Sequence, residues 1–511
     1  MRLFRRNALG VYAVYGASMV SGLVVTPIVL HALGDETFGL WSFIVSVTMY
    51  LAVLDFGLGP SVVRLTAEAR GREAPDETSA VASVALALYA MIGAVTIVAG
   101  LGLSWLVPLL IEIPDDLVFE ARLATFLVVI GLAARFPLGL FYNLLGGHQR
   151  LDVQNLGNFV GTVLYALLVA VLVPRGGGLV LLAVLTLAVT VFRLTLPLLW
   201  IRREFPQLRL RRVYVTRARM RELASISWSN FLVHLANKVV FSTDIVVVGI
   251  VLGAREAAIY AIASRLFQLA FGLASVLTGL LYPAFAEYEG AGEEERQRRL
   301  LLGGLRGGSA AAFVLALPLL AIPEQLITGW LGEGYEDSAP VLALLALGVL
   351  LHQPLWLLTQ YLVARGRQQA MARLLVTAAG ANVLLSIGLA LTVGTWGVAL
   401  ATLLADGAAL ALAVPLWVAP VAGLSAATVA RAVLRPALPA AAVALCVFGA
   451  ARAIDTDTLL ELLPVGVAWG LLAGAAVWSF GLTRDERRSF ARELRGGTPQ
   501  PLDEPYATTS P

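Results

Sequence analysis

Apolar residues run along this chain in blocks of about twenty, separated by short stretches rich in arginine, proline or glycine. Blocks of that length predict membrane-crossing helices. They fall at about 9–31, 37–58, 79–108, 118–141, 154–173 and 177–200. A second series lies at about 224–252, 257–284, 308–330, 339–362, 374–392 and 396–418, with two more near 437–451 and 460–482. The blocks are continuous rather than alternating over ten residues, so helices are expected in place of a barrel. The fold class that follows is an all-α membrane protein with about 14 transmembrane helices.

Composition agrees with the pattern. Hydrophobic residues make up 59% of the 511 positions and charged residues only 14%, against about 25% charged in soluble domains. A mean hydropathy of +0.82 over the whole length cannot come from one or two anchors. A basic start (Arg2, Arg5, Arg6) before an apolar stretch resembles a leader, but the stretch from Ala8 is about 20 residues long and has no clear small-residue exit, so it is read as the first span. The single cysteine, Cys446, sits in an apolar block and is expected as a buried structural thiol.

Charge sets the orientation. If the N-terminus is cytoplasmic, 29 arginines fall in the inner segments and four (Arg122, Arg175, Arg255, Arg452) in the outer ones. That bias places both termini in the cytoplasm. Because the basic residues sit in short loops between spans, the net charge of +3 does not point to nucleic acid. The external loops are short, and several are acidic. The longest internal loop, 201–223, alternates arginine with apolar residues and is suited to lie on anionic membrane lipids.

The first twelve spans read as two copies of one six-helix unit. A constant offset of 219 residues carries Leu33-Gly34 onto Leu252-Gly253, Trp41 onto Tyr260, Tyr142 onto Tyr361, Gly147 onto Gly366, Gln149 onto Gln368, Gly161 onto Gly380 and Gly178 onto Gly397. It fails at Arg175, which falls on Gly394. Six helices per copy is even, so both copies would insert in the same sense as a parallel pseudo-two-fold repeat. The expected domains are an N-lobe at 1–200, a basic cytoplasmic linker at 201–223, a C-lobe at 224–419, two additional helices within 420–483, and a disordered cytoplasmic tail at 484–511.

Charged groups within the hydrocarbon are costly and usually face a cavity or a partner. The basic ones are Arg135, Arg193, Lys238 (the sole lysine) and Arg265, with His234 and His352 adding titratable groups. Together Arg135, Arg193, Lys238, Arg265 and His234 are candidates for a cationic cavity between the lobes that holds an anionic group such as a diphosphate. Intramembrane ion pairing is the structural alternative. Asp244, Asp406 and Asp55 are candidates for coupling transport to Na⁺ or H⁺, although Asp55, in the turn Asp55-Phe-Gly-Leu-Gly-Pro60, equally suits a helix-ending role. No phosphate-binding glycine loop, zinc-protease motif, hydrolase elbow or Cys/His cluster occurs, so neither an enzyme nor a resident cofactor is expected.

Leu33-Gly34 followed by Phe38-Gly39-Leu40-Trp41, then Leu54-Asp55-Phe56-Gly57-Leu58-Gly59 with Arg64, resembles the polysaccharide and O-antigen flippases. These belong to the multidrug/oligosaccharidyl-lipid/polysaccharide exporter superfamily. Asp244-Ile-Val-Val-Val-Gly249 with Tyr260-Ala-Ile-Ala263, and the turn Gly146-Gly147-His148-Gln149-Arg150, are similar to the corresponding family segments. The resemblance covers about 1–420 and implies a two-lobed bundle. Such a bundle would turn undecaprenyl-diphosphate-linked oligosaccharide to the outer leaflet by alternating access, beside a polysaccharide polymerase and glycosyltransferases. Alternatives within the superfamily are a lipid II flippase, which has an extra helical pair, and a multidrug/cation antiporter, which would want an acidic cavity. A membrane glycosyltransferase or polymer ligase would need a sizeable external loop for its catalytic groups, and these loops are too short.

Overall fold

The structure is a computed structural model that describes the backbone of residues 2–279, 281–451, 459–483 and 487. Side chains at 2–9, 11, 12, 226, 228–242, 276, 277, 368, 450, 451, 459, 460 and 463 are outside the description. The expected tail, 484–511, lies outside the described residues apart from Arg487. Helices follow one another as α1 (Arg2–Leu33), α2 (Asp35–Leu51), α3 (Leu58–Gly71), α4 (Pro75–Leu110), α5 (Val118–Gly147), α6 (Leu151–Leu172), α7 (Gly178–Glu204), α8 (Arg217–Leu252) and α9 (Ala254–Gly279). Then come α10 (Tyr282–Ala291), α11 (Glu294–Ala321), α12 (Pro323–Leu331), α13 (Ser338–Ala364), α14 (Gln368–Val393), α15 (Thr395–Ala413), α16 (Ala419–Ala422), α17 (Ala426–Leu434), α18 (Ala437–Ala451) and α19 (Leu459–Ala476). Among the described residues there is no strand.

Thirteen stretches of these helices are long and apolar enough to cross a membrane among the described residues. They correspond to the expected spans except 224–252, which falls in the 36-residue α8, where most side chains are outside the description. Large apolar side chains cover the outside of the helices: Leu109 is 79% exposed, Leu438 80% and Leu445 79%. Water would not tolerate that much bare hydrocarbon, whereas lipid does. This is a multi-pass membrane protein. Cys446 corrects the expectation of a buried thiol, because it is exposed beside Leu445. Both apolarity and burial favour the same residue types, so an apolar block cannot say which of its faces meets lipid.

Helix ends follow local chemistry. The two Leu-Gly turns share one backbone conformation: Gly34 has φ 81° and ψ 169°, and Gly253 has φ 96° and ψ −179°. A side chain is strained there, which explains glycine at both. The expected span 308–330 lies later than the helix that forms, since α11 starts at Glu294 and stops at Ala321, just before Pro323 opens α12. The span expected at 37–58 ends earlier, at Asp55. There a 3₁₀ turn (Ala52–Asp55) gives way to Phe56 and Gly57 in the left-handed region, at φ 48° and 71°, before α3 begins.

The chain forms two compact units. Unit 1 comprises Met1–Ile262 with Val383–Val398, and unit 2 comprises Ala263–Asn382 with Ala399–Pro511. In unit 1 the core joins α3, α4, α5, α7 and the start of α8 through Leu58, Val62, Tyr89, Phe136, Leu140, Leu144, Ile201 and Leu223. The segment after α7 is part of this packing. Leu208 and Phe205 lie against that core, and the backbone N–H groups of Arg209 and Arg211 donate to the hydroxyls of Ser79 (3.1 Å) and Ser83 (3.0 Å) on α4. In unit 2 one core joins α10, α11, α13 and α17 around Phe285, Leu301, Leu358, Tyr361 and Val429. A second holds α18 and α19 to α11 and α12 through Phe448, Trp469 and Ile322, and the Trp469 indole donates to the Val314 carbonyl at 2.8 Å.

Candidate functional site

Inside unit 1 lies a cavity of about 430 Å³. Two of the predicted basic residues, Arg135 on α5 and Arg193 on α7, line it together with Asp55 at the end of the 3₁₀ turn. The break after α2 accounts for Asp55: the left-handed Phe56 and Gly57 halt the helix within an apolar block and leave the carboxylate at the cavity wall.

Neutral polar groups complete the lining. Asn143 donates to the Tyr89 hydroxyl at 3.1 Å, and Tyr89 is hydrogen-bonded in turn to Asp55. Asn158 donates to the Tyr142 hydroxyl at 3.1 Å, and Thr190 lies on the same surface. Arg193 reaches Thr162 with one terminal nitrogen at 3.4 Å. Its Nε is buried and has no hydrogen-bond partner among the described residues. The guanidinium rests against α6 at Gly161, where an added Cβ would stand 2.6 Å from that nitrogen. Gly161 is therefore the notch that admits the arginine. Arg193 also feels the charge of Arg135. The hollow thus holds two like charges and one unfilled donor against the single carboxylate of Asp55, a basic balance within a polar lining.

The other predicted residues lie elsewhere. Asp244, on α8 in unit 1, accepts from the Tyr260 hydroxyl at 2.6 Å, beside a bond from Tyr50 to Thr243 at 2.9 Å. It does not line the cavity. Arg265 is exposed on α9 in unit 2 and holds an interaction there. Asp406, on α15 in unit 2, meets His352 of α13 at 2.9 Å. The side chains of Lys238 and His234 lie outside the described residues. Tyr89, Asn143, Asn158 and Thr190 do not stand out in the sequence as site residues, nor does Tyr142 beyond its place in the offset, because neutral polar residues are common in spans. The available signal was an asparagine inside one apolar block, Asn158, and another just past the end of the block before it, Asn143. Among the described residues no three His, Cys, Asp or Glu side chains could hold a metal together.

Comparison with known proteins adds family and fold. The chain is 25% identical over 396 residues to the uncharacterized membrane protein EpsK of Bacillus subtilis (strain 168), covering 74% of this chain and 75% of that one. Its fold is similar to the inward closed conformation of the lipid II flippase MurJ, with a TM-score of 0.68 and 14% identity over 92% of this chain and 99% of that one. It is also similar to an inward-facing multidrug resistance MATE family transporter, with a TM-score of 0.63 and 16% identity over 78% and 92% of the two chains. The family model described as polysaccharide biosynthesis protein matches residues 4–289, more than half of the sequence, and the chain belongs to that family.

Proposed function

We propose that this protein is a flippase that carries undecaprenyl-diphosphate-linked oligosaccharide across the bacterial inner membrane by alternating access, for surface polysaccharide synthesis. The observation that carries the reading is the basic hollow in unit 1, where Arg135 and Arg193 share one cavity and Arg193 keeps an unfilled buried donor. Arginine forks match phosphate oxygens, and a low dielectric strengthens that attraction. Membership of the polysaccharide biosynthesis family supports the same substrate class. On this reading Lys238, His234 and Arg265 extend the headgroup path, and two six-helix lobes related by the 219-residue offset rock around it. The arginine-rich loops and both termini face the cytoplasm, with 201–223 on anionic lipid. A polymerase and glycosyltransferases act on the same lipid-linked sugar. An ion gradient, Na⁺ or H⁺, drives the cycle through Asp55, Asp244 or Asp406.

A lipid II-type substrate is the second reading, favoured by the near-complete match in fold to MurJ, which extends over 99% of that chain. A cation antiporter fits less well, since the hollow holds two arginines against one aspartate. The deciding experiment is complementation of strains lacking either an oligosaccharide flippase or the lipid II flippase, scored by the leaflet in which the lipid-linked sugar accumulates. Outer-leaflet oligosaccharide in the first strain alone is expected. Rescue of only the second strain would replace the first reading with the second, and rescue of neither would refute both.

A further inference from the structure

Unit 2 contains a buried ionisable couple that the anion-binding hollow does not use. α13 is apolar from Ala339 to Leu351, and its first polar side chains beyond that run are at its centre, where His352-Gln353 immediately precedes Pro354. Proline has no backbone N–H and crowds the carbonyl four residues earlier, so the helical ladder is weakest there. The same level carries the helix's side-chain cross-links. Gln353, fully buried, donates to the Ala274 carbonyl (3.2 Å) and the Thr278 hydroxyl (2.9 Å) on α9 and accepts from Ser275 (3.2 Å). On the opposite link, His352 Nδ1 lies 2.9 Å from Asp406 Oδ2 on α15, and the Phe271 ring stands edge-on to the imidazole at 4.8 Å. The two side chains are only 10% and 12% exposed.

The two links differ in chemistry. A neutral amide suffices to tie α13 to α9, and Gln353 does so with no titratable proton. Tying α13 to α15 with a histidine and a carboxylate adds something a structural cross-link does not need. Such a couple can take up or release a proton, which an amide cross-link cannot, and the proton changes the charge that α13 and α15 share. Among the described residues, the other ionisable side chains in the apolar parts of the flanking helices are Arg265 on α9 and Arg306 on α11, and both of these, like His352, hold further interactions. Tyr361 lies further along α13, toward Arg365 and Glu289.

We infer that His352 and Asp406 form a proton-binding site within unit 2, and that gain or loss of its proton changes how α13 is held against α15 at the level of Pro354. The role of this proton in driving transport rests on the flippase reading; its binding and the helix response do not. The test is hydrogen–deuterium exchange of the full-length protein in lipid nanodiscs at about pH 5.5 and about pH 8, the range in which a histidine switch operates, with times scaled for the intrinsic exchange rate. Protection of α13 and α15 should change by about tenfold between the two conditions. The change should vanish in both His352→Asn and Asp406→Asn, while His352→Gln, which keeps a hydrogen-bonding side chain, should fold and also lose it. Equal protection at both pH values in the unaltered protein would overturn the inference, as would a pH response that survives in all three variants. A response to Na⁺ at fixed pH, with none to protons, would overturn it in favour of a metal-cation site. If the pH response appears while no lipid-linked sugar is moved in vesicles under any gradient, the flippase reading falls and the proton site stands.

Discussion

Arg193 is the residue whose surroundings say most about what the hollow accepts. Its buried Nε lacks a partner, and a charge-assisted hydrogen bond to a phosphate would contribute roughly 1.5–3 kcal/mol, so Arg193→Ala should weaken binding of a lipid diphosphate by about ten- to hundredfold. Export should fall with it at matched protein levels, and Arg135→Ala should act in the same direction. Gly161→Leu leaves every charge in place yet fills the notch beside the guanidinium, and should lower affinity in the same assay. Unchanged binding in both Arg193→Ala and Gly161→Leu would remove the anion site. His148, in the turn between α5 and α6, makes a different prediction. Its ring packs on Phe205 at 4.0 Å, and burial, with a smaller contribution from the Arg70 charge, holds the imidazole below the usual histidine range despite a bond to the Leu144 carbonyl. The folded turn therefore prefers neutral His148. Its stabilising contribution is complete above the ordinary pKa near 6.5 and is lost as the pH falls from there through the depressed folded value. Exchange protection of 146–150 should drop on acidification, and His148→Gln should abolish that dependence.

At the scale of elements, the segment between α7 and α8 is tied down by two hydroxyls on α4. Ser79→Ala and Ser83→Ala each remove the acceptor of a backbone N–H, a loss of about 1 kcal/mol apiece. The double variant should become more sensitive to protease between 205 and 216, and unchanged cleavage would mean that the apolar anchors Phe205 and Leu208 suffice. With those anchors turned inward, Leu210 (42% exposed) and Val213 (73%) stand outward among arginines, the pattern a lipid surface would meet. The 219-residue offset carries Pro75, the first residue of α4, to Glu294, the first of α11; it carries Val118 of α5 to residue 337, next to the start of α13, and Gly178 of α7 to residue 397, inside α15. The turns at Gly34 and Gly253 were legible because left-handed backbone needs glycine, which is visible as a letter. The break within 308–330 was harder to see, because Pro323 lies in a run whose summed hydropathy hides it.

At the scale of the molecule, the two C-terminal helices are seated on α11 and α12 within unit 2. Trp469 packs on Phe448 with ring centroids 5.0 Å apart and donates to a backbone carbonyl of α11, so Trp469→Ala should cost about 3–5 kcal/mol and lower the unfolding temperature in detergent by several degrees. A fall no larger than that of an exposed Leu445→Ala control would show that α18 and α19 are held some other way. Desolvation is nearly additive along a chain, so twenty consecutive apolar residues mark a segment for the membrane, and the amino-acid order alone located thirteen of the expected spans among the described helices. Charges within those spans also stand out as letters, which is how Arg135, Arg193, Asp55 and Asp406 could be named beforehand. Which of them meet was decided only by tertiary packing. Arg135 and Arg193 are 58 residues apart and His352 and Asp406 are 54 apart. Whether such side chains share a hollow depends on the rotation of each helix about its axis, which no local sum of hydropathy contains.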